Sequence, residues 1–287
     1  MIPVQLDPRT TSAAPVGRRR FLQIGGLGVV TASLVAACGG ADSQSGARVG
    51  VAPDRTGLPD PVVDDSVLLR TAASLERSVI AVYDKVIGNT DLLAAGLQDA
   101  AKRFRDDHSA HAELFDQLTT AAGGEVWSCG NPRLDELLIT PVFNAIQGAP
   151  AAGTVAAIPT SDDMARDVLN FAHALEELAS QTYASLVPQL SEPELRSQAM
   201  AVGSQEAKHS SLLALAITGR PDGYLVQPLP ADPPKIPTVY AIPSTFGQLA
   251  GTQLVVGAED EVGQRKTYNL ETPSLNTFLY AYLTPSC

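Results

Sequence analysis

Along the middle of the chain apolar residues recur every three or four positions in four long runs, covering approximately 65–87, 91–122, 162–187 and 192–218. That period belongs to helices with one face turned towards a core. The boundary residues agree with it. The first run ends at Gly88, "NT" (89–90) offers a cap for the second, and the second stops at Gly123-Gly124. Ser161, Asp162 and Asp163 head the third run, where negative charge suits the helix dipole. "SEPE" (191–194) offers the fourth a capping box, and Gly219 with Pro221 closes it. Few residues separate the runs within each pair, so each pair is an antiparallel hairpin, and the stretch between the pairs, roughly 124–160, is a long crossover. Beyond residue 221 the pattern changes: "PLPADPPKIP" is extended, and "TQLVVGAEDEVGQRKTYNLE" alternates around a polar turn as a β-hairpin does. The expected fold is mainly α, a four-helix bundle over 65–221 with a small extension over 222–287 that carries a β-hairpin.

Polar residues interrupt the apolar stripes at matching places. "LERSVIAVY" (75–83) and "LEELASQTY" (175–183) share Leu-Glu and a Tyr seven residues after the Glu. Glu76 lies on the line Leu69, Ala72, Val79, Tyr83, and Glu176 on the line Leu169, Ala172, Ala179, Tyr183. The partner runs match as well: His111 follows Glu76 by 35 residues and His209 follows Glu176 by 33. His108 and His111 share a line with Phe104, Phe115 and Leu118, while Glu206 and His209 share one with Val202 and Leu213. A single such Glu would be read as rotated towards solvent, but matching interruptions on four helices are not. Three ionised carboxylates buried without partners would cost about 10 kcal/mol or more, comparable to the stability of a whole domain. A divalent metal shared with the imidazoles removes that cost.

These residues resemble the di-iron carboxylate members of the ferritin-like superfamily, whose bundles join two hairpins through a long crossover. Those proteins supply one Glu from each of two helices and Glu-x-x-His from each of the other two. The resemblance covers about 65–218. It implies Glu76 and Glu176 at the single-Glu positions, Glu206 with His209 as one complete motif, and His111 as the histidine of the other. It also implies iron or manganese, as one or two ions, and iron oxidation or other oxygen-dependent redox chemistry. One position departs, because His108 stands where the family has Glu. A neutral imidazole cannot bridge two metals as a carboxylate does, and one negative charge is lost. Asp107 could reach inward in its place, four residues from His111 on the same face. Alternatively Glu76, His108 and His111 form a two-His-one-carboxylate set suited to a single Fe(II) or similar ion. His173, one turn before Glu176, reads equally as an extra ligand, a hydrogen-bond partner of the ligands or a satisfied core histidine. Tyr83 and Tyr183 read either as hydrogen-bond partners of the carboxylates or as plain core aromatics, the commoner case at such positions, and Trp127 as packing for the crossover.

The N-terminal residues are of another kind. "GRRRFLQ" (17–23) leads into a short, glycine-interrupted apolar segment, too short to span a bilayer as a helix. Arg18-Arg19-x-Phe21-Leu22 resembles a twin-arginine export signal. "VAAC" (35–38) resembles a lipobox, in which Cys38 becomes a lipidated first residue. The expectation is a signal over 1–37, a flexible Gly/Ser/Asp/Pro linker over 38–64, and a mature protein held by lipid on the outer face of the cytoplasmic membrane. The twin-arginine resemblance implies export in the folded state, often with a cofactor in place. Cys129 and Cys287, the two remaining cysteines, read as a disulfide in an exported chain. The alternatives, unrelated thiols or a lone metal ligand, have no CxxC or other ligand spacing behind them. Removing 1–37 takes four of the 20 basic residues and one of the 31 acidic ones, so the net charge moves from −11 to −14. With no basic stripe, that charge argues against a nucleic-acid partner. A lipid anchor, a long crossover and a C-terminal extension speak against a closed iron-storage shell. Two functions stand: a ferroxidase-like metal-dependent oxidoreductase, or a non-catalytic lipoprotein scaffold with a degenerate metal site. Protein partners cannot be read from the sequence.

Overall fold

The structure, a computed structural model, describes residues 62–89, 91–93, 96–220, 252–273 and 277–287. The export signal, Cys38, most of the linker and the proline-rich stretch after 221 lie outside the described residues.

Four long helices form the bundle: α1 (Asp65–Ile87), α2 (Gln98–Ala121), α4 (Met164–Leu186) and α5 (Pro193–Thr218), with a shorter α3 (Thr140–Gln147) in the crossover. The pairs α1/α2 and α4/α5 pack extensively as hairpins, whereas α2 meets α5 at few residues. Leu68, Leu69 and Leu75 of α1 and Leu175, Leu178 and Leu186 of α4 are at most 2 % exposed. At roughly 2 kcal/mol for each buried leucine, this packing rather than helix propensity holds the bundle together. Asp64 caps α1 by accepting from Val67 N–H at 3.0 Å, and Asp163 caps α4 by accepting from Arg166 N–H at 2.9 Å. Gly219, in the left-handed region at φ 65°, closes α5.

Two boundary expectations are corrected. Helix α2 begins at Gln98 rather than near 91, and "NT" does not cap it: Asn89 Oδ1 instead accepts from Asp91 N–H in a local turn. Gly96, at φ 87°, interrupts any helix there, while Leu92 continues the apolar spacing from a non-helical segment by burying itself in the core. "SEPE" does not form a capping box. Glu192 occupies the cap position without a side-chain bond, and Ser191 turns its N–H and hydroxyl to Asp65 of α1.

The crossover is more structured than the sequence shows. Asn131 Oδ1 accepts from the N–H groups of Arg133 and Leu134 and starts a helical turn at Pro132–Leu134. A π-helical turn, Asp135–Ile139, follows and leads into α3. Pro141 has no N–H to give to Leu137, so the regular ladder cannot run through this point. A small antiparallel loop then returns through bridges Ala149 to Ile158 and Ala152 to Val155.

In the extension, β1 (Thr252–Val256) pairs antiparallel with β2 (Lys266–Leu270) in register Leu254 to Tyr268, the hairpin that the alternation predicts. Leu254, Val256 and Leu270 face the bundle. Asp167 of α4 accepts from Gly257 N–H at 2.6 Å, and Arg265 grips Asp162 with both terminal nitrogens at 2.6 Å. The chain end is strapped across α1. Buried Arg70 donates to the carbonyls of Tyr280 and Leu283 at 3.1 and 2.9 Å, its guanidinium 5.5 Å from the centre of the Trp127 ring. Leu279 N–H donates to Thr71 Oγ1 at 2.9 Å, and Cys129 is joined to Cys287.

Candidate metal centre

The six residues expected at the centre converge. Glu76 from α1, His108 from α2, and Glu176 and Glu206 from α4 and α5 are fully buried, and His209 is 2 % exposed. His111 is the one with a measurable opening to solvent, its side chain 14 % exposed. Their donor atoms form two sets, Glu76–His108–His111–Glu206 and His108–Glu176–Glu206–His209, and within each set the atoms lie within 4.8 Å of one another.

The first set forms a ring of contacts. Glu76 Oε2 lies 2.5 Å from His108 Nδ1, which is 3.7 Å from Glu206 Oε1; that oxygen is 2.6 Å from His111 Nδ1, which is 3.8 Å from Glu76 Oε2. In the second, His108 Nε2 lies 3.1 Å from Glu176 Oε1, and His209 Nδ1 lies 3.3 Å from Glu176 Oε2 and 3.0 Å from Glu206 Oε2. The tyrosines reach across the pair of hairpins: Tyr83 of the first donates to Glu176 of the second, and Tyr183 of the second donates to Glu76 of the first. Gly203 lets α5 come close to α4 here. A Cβ at that position would stand 3.0 Å from the Cβ of Tyr183.

Asp107 does not turn inward. Its Oδ2 accepts from Arg103 Nε at 3.0 Å and Gln205 Nε2 at 3.3 Å, and lies 3.2 Å from His209 Nε2. Asp107 sits just beyond the face shared by His108 and His111, so its short side chain meets the far nitrogen of His209 and directs Nδ1 of that ring at the carboxylates. Phe104 stacks on the same imidazole with centroids 4.1 Å apart. Gln205 and Phe104 were not singled out as site residues from sequence, although Gln205 lies one turn before His209 and Phe104 one turn before His108. His173 is buried in α4 and belongs to neither donor set. Burial lowers its pKa to about 4, against the pull of Glu176.

The electrostatics follow from packing histidines among carboxylates. Burial works against charge on His108, yet Glu206, Glu176 and Glu76 together hold its pKa well above the usual imidazole value. Burial opposes charge on His111 and His209 too, and their carboxylate contacts, with Glu206 and Glu76 for His111 and with Glu176 and Glu206 for His209, raise both to about 9. Burial would push Glu76 and Glu176 upwards, but the histidines, His108 first, hold both below the ordinary carboxylate range. Glu206 goes the other way: burial and the neighbouring Glu76 outweigh His108 and raise it.

The donors suit a first-row divalent ion, because imidazole nitrogen with carboxylate oxygen is the ligand mixture such ions take. One detail supports the fit. His111 Nδ1 and Glu206 Oε1 face each other at 2.6 Å, but neither is aligned in a hydrogen bond. Once the ring proton has left, these two atoms are placed as two ligands of one ion are.

Among solved structures, a conserved hypothetical protein of Mycobacterium tuberculosis is similar at 15 % identity and a TM-score of 0.38, covering 53 % of this chain and 96 % of that one. No curated protein matches the chain significantly. The family of ferritin-like domains matches residues 64–219, more than half of the chain and all four long helices. The chain therefore belongs to the ferritin-like domain family.

Proposed function

We propose that this is a membrane-tethered, extracytoplasmic ferritin-like protein that binds iron or manganese and carries out redox chemistry with it. The two buried donor sets carry the proposal. Glu76, Glu176 and Glu206 would hold the metal with His108, His111 and His209, and a bound iron or manganese ion supplies one-electron exchange with dioxygen or a reducing substrate. The protein's own contribution is positioning. Tyr83 and Tyr183 fix the rotation of the Glu176 and Glu76 carboxylates, Asp107 fixes the ring of His209, and the leucine-rich bundle keeps bulk water away. Export and anchoring rest on "RRRFL" and "VAAC", and among the described residues no helix is long and apolar enough to cross a membrane.

A second reading, a scaffold with a vestigial site, has one observation in its favour. The histidines and carboxylates balance one another's charge, so the bundle does not need an ion in order to stand. One experiment separates the two. Protein isolated from its native membrane is analysed for metal and then offered Fe(II) and Mn(II), beside the double variant Glu206→Ala, His209→Ala. Stoichiometric metal that disappears in the folded double variant supports the first reading. A wild-type protein that carries none and takes up none establishes the scaffold.

A further inference from the structure

The departure at His108 has a geometry of its own. The two hairpins repeat each other, so Glu76 corresponds to Glu176, His111 to His209 and His108 to Glu206. The last pair falls between the two donor sets, and each member divides itself between them. Glu206 turns Oε1 to His111 and Oε2 to His209, at 2.6 and 3.0 Å. His108 turns Nδ1 to Glu76 and Nε2 to Glu176, at 2.5 and 3.1 Å. Tyr83 stacks on the His108 ring, centroids 5.7 Å apart at 28°, and helps to hold that orientation. The four donors of the first set follow one another at 2.5, 3.7, 2.6 and 3.8 Å and all lie within 4.8 Å of one another, a span that the donors of a single ion can occupy.

We propose that His108 bridges two metal ions, one in each donor set, through Nδ1 and Nε2 as an imidazolate. The inference rests on the metal-binding reading above and extends it to the number of ions and the group between them. The step balances without electron transfer. In the metal-free protein the surrounding carboxylates keep His108 an imidazolium with two ring N–H groups; each ion bonds one nitrogen lone pair, and both ring protons leave to water. The charge balances too. An imidazolate carries the same single negative charge as the Glu it replaces, so with Glu76, Glu176 and Glu206 it offers four negative charges to two divalent ions. A bridge through a five-membered ring also holds the ions further apart than the roughly 3.5–4 Å of compact two-metal sites.

The test uses Cu(II), which binds nitrogen and oxygen donors most strongly among the divalent first-row ions. The full-length protein is titrated while its electron paramagnetic resonance is recorded, beside His108→Gln and His108→Ala, all three checked for helicity. The expected result is uptake of two ions per chain. The first equivalent should give an isolated Cu(II) signal, and the second should reduce the integrated intensity through exchange across the ring. In both variants intensity should rise with every ion bound. Uptake of one ion by the wild type, two ions without exchange, or exchange that survives in the variants overturns the imidazolate bridge and leaves the metal-binding reading in place. Failure of the wild type to bind Cu(II), Fe(II) or Mn(II) removes both.

Discussion

Consider raising the pH of the metal-free protein from 6 to 9.5. His111 and His209 have pKa values of about 9 against an ordinary 6.5, because the shared carboxylates outweigh burial. A basic group whose pKa is raised by folding contributes stability that is complete below its unfolded pKa and is lost as the pH rises through the folded one. The window is therefore about 6.5 to 9. Each pKa unit corresponds to about 1.4 kcal/mol, so each histidine accounts for about 3 kcal/mol. Both lean on Glu206, so the joint loss should be less than the sum, about 3–6 kcal/mol. For a domain of this size that lowers the melting temperature by on the order of 10 °C. His108, held well above the usual imidazole value by Glu206, Glu176 and Glu76 against burial, loses its contribution in the same direction as the pH rises beyond 6.5. Glu177, which burial raises from 4.5 to about 7, loses its contribution between those values and overlaps only the lower edge of the window, and the contribution of His173, lowered to about 4, is lost on the acid side. Thermal unfolding of chelator-treated protein at constant ionic strength reads the effect, with His111→Ala as a control that should remove much of the slope. Bound metal reverses the sign, because it displaces the same protons and binds more tightly as they leave. A melting temperature of the chelated protein that is level or rising between pH 6.5 and 9 would refute the charge arrangement.

Three further outcomes are expected. Non-reducing peptide mapping should find Cys129 linked to Cys287, and Cys287→Ser should destabilise the fold by up to about 5 kcal/mol, the chain-entropy figure for so long a loop; unchanged denaturant unfolding would contradict this. Gly203→Ala places a methyl against Tyr183 and should cost about 1–3 kcal/mol while weakening metal uptake, read by unfolding and by metal titration side by side. Cys38→Ala should release the protein from the membrane fraction, and unchanged retention would defeat the proposed lipid anchor.

How much of this was legible in the sequence can be argued residue by residue. Helical period gave α1, α4 and α5 almost to the residue, because their stripes are long and their ends carry Gly or acidic caps. It misplaced the start of α2, because Leu92 satisfies the core from a non-helical turn and so preserves the apolar spacing. The candidate centre was visible because internal repetition doubled the signal: one buried Glu on a stripe means little, and four interruptions at matching positions mean a shared cause. The direction in which Asp107 points was not visible. That choice depends on where α5 places His209 and Gln205, which no spacing within α2 records. Nor did the sequence show that Arg70 is buried, since a lone Arg in an apolar stretch gives no sign of two backbone carbonyls arriving from more than two hundred residues away.

The crossed tyrosines bear on how such a centre arises. Each hairpin carries a Glu and the tyrosine that would steady it, yet Tyr83 serves Glu176 and Tyr183 serves Glu76. A hairpin alone therefore leaves its own carboxylate unclasped, and the clasp exists only between two of them. Two copies of one hairpin, meeting about a two-fold axis, would make the same exchange, each contact appearing twice as in any isologous pair. Two hairpins within one chain need not match each other as two copies must. The two halves differ at the residues that both donor sets share, where one half presents Glu206 and the other His108.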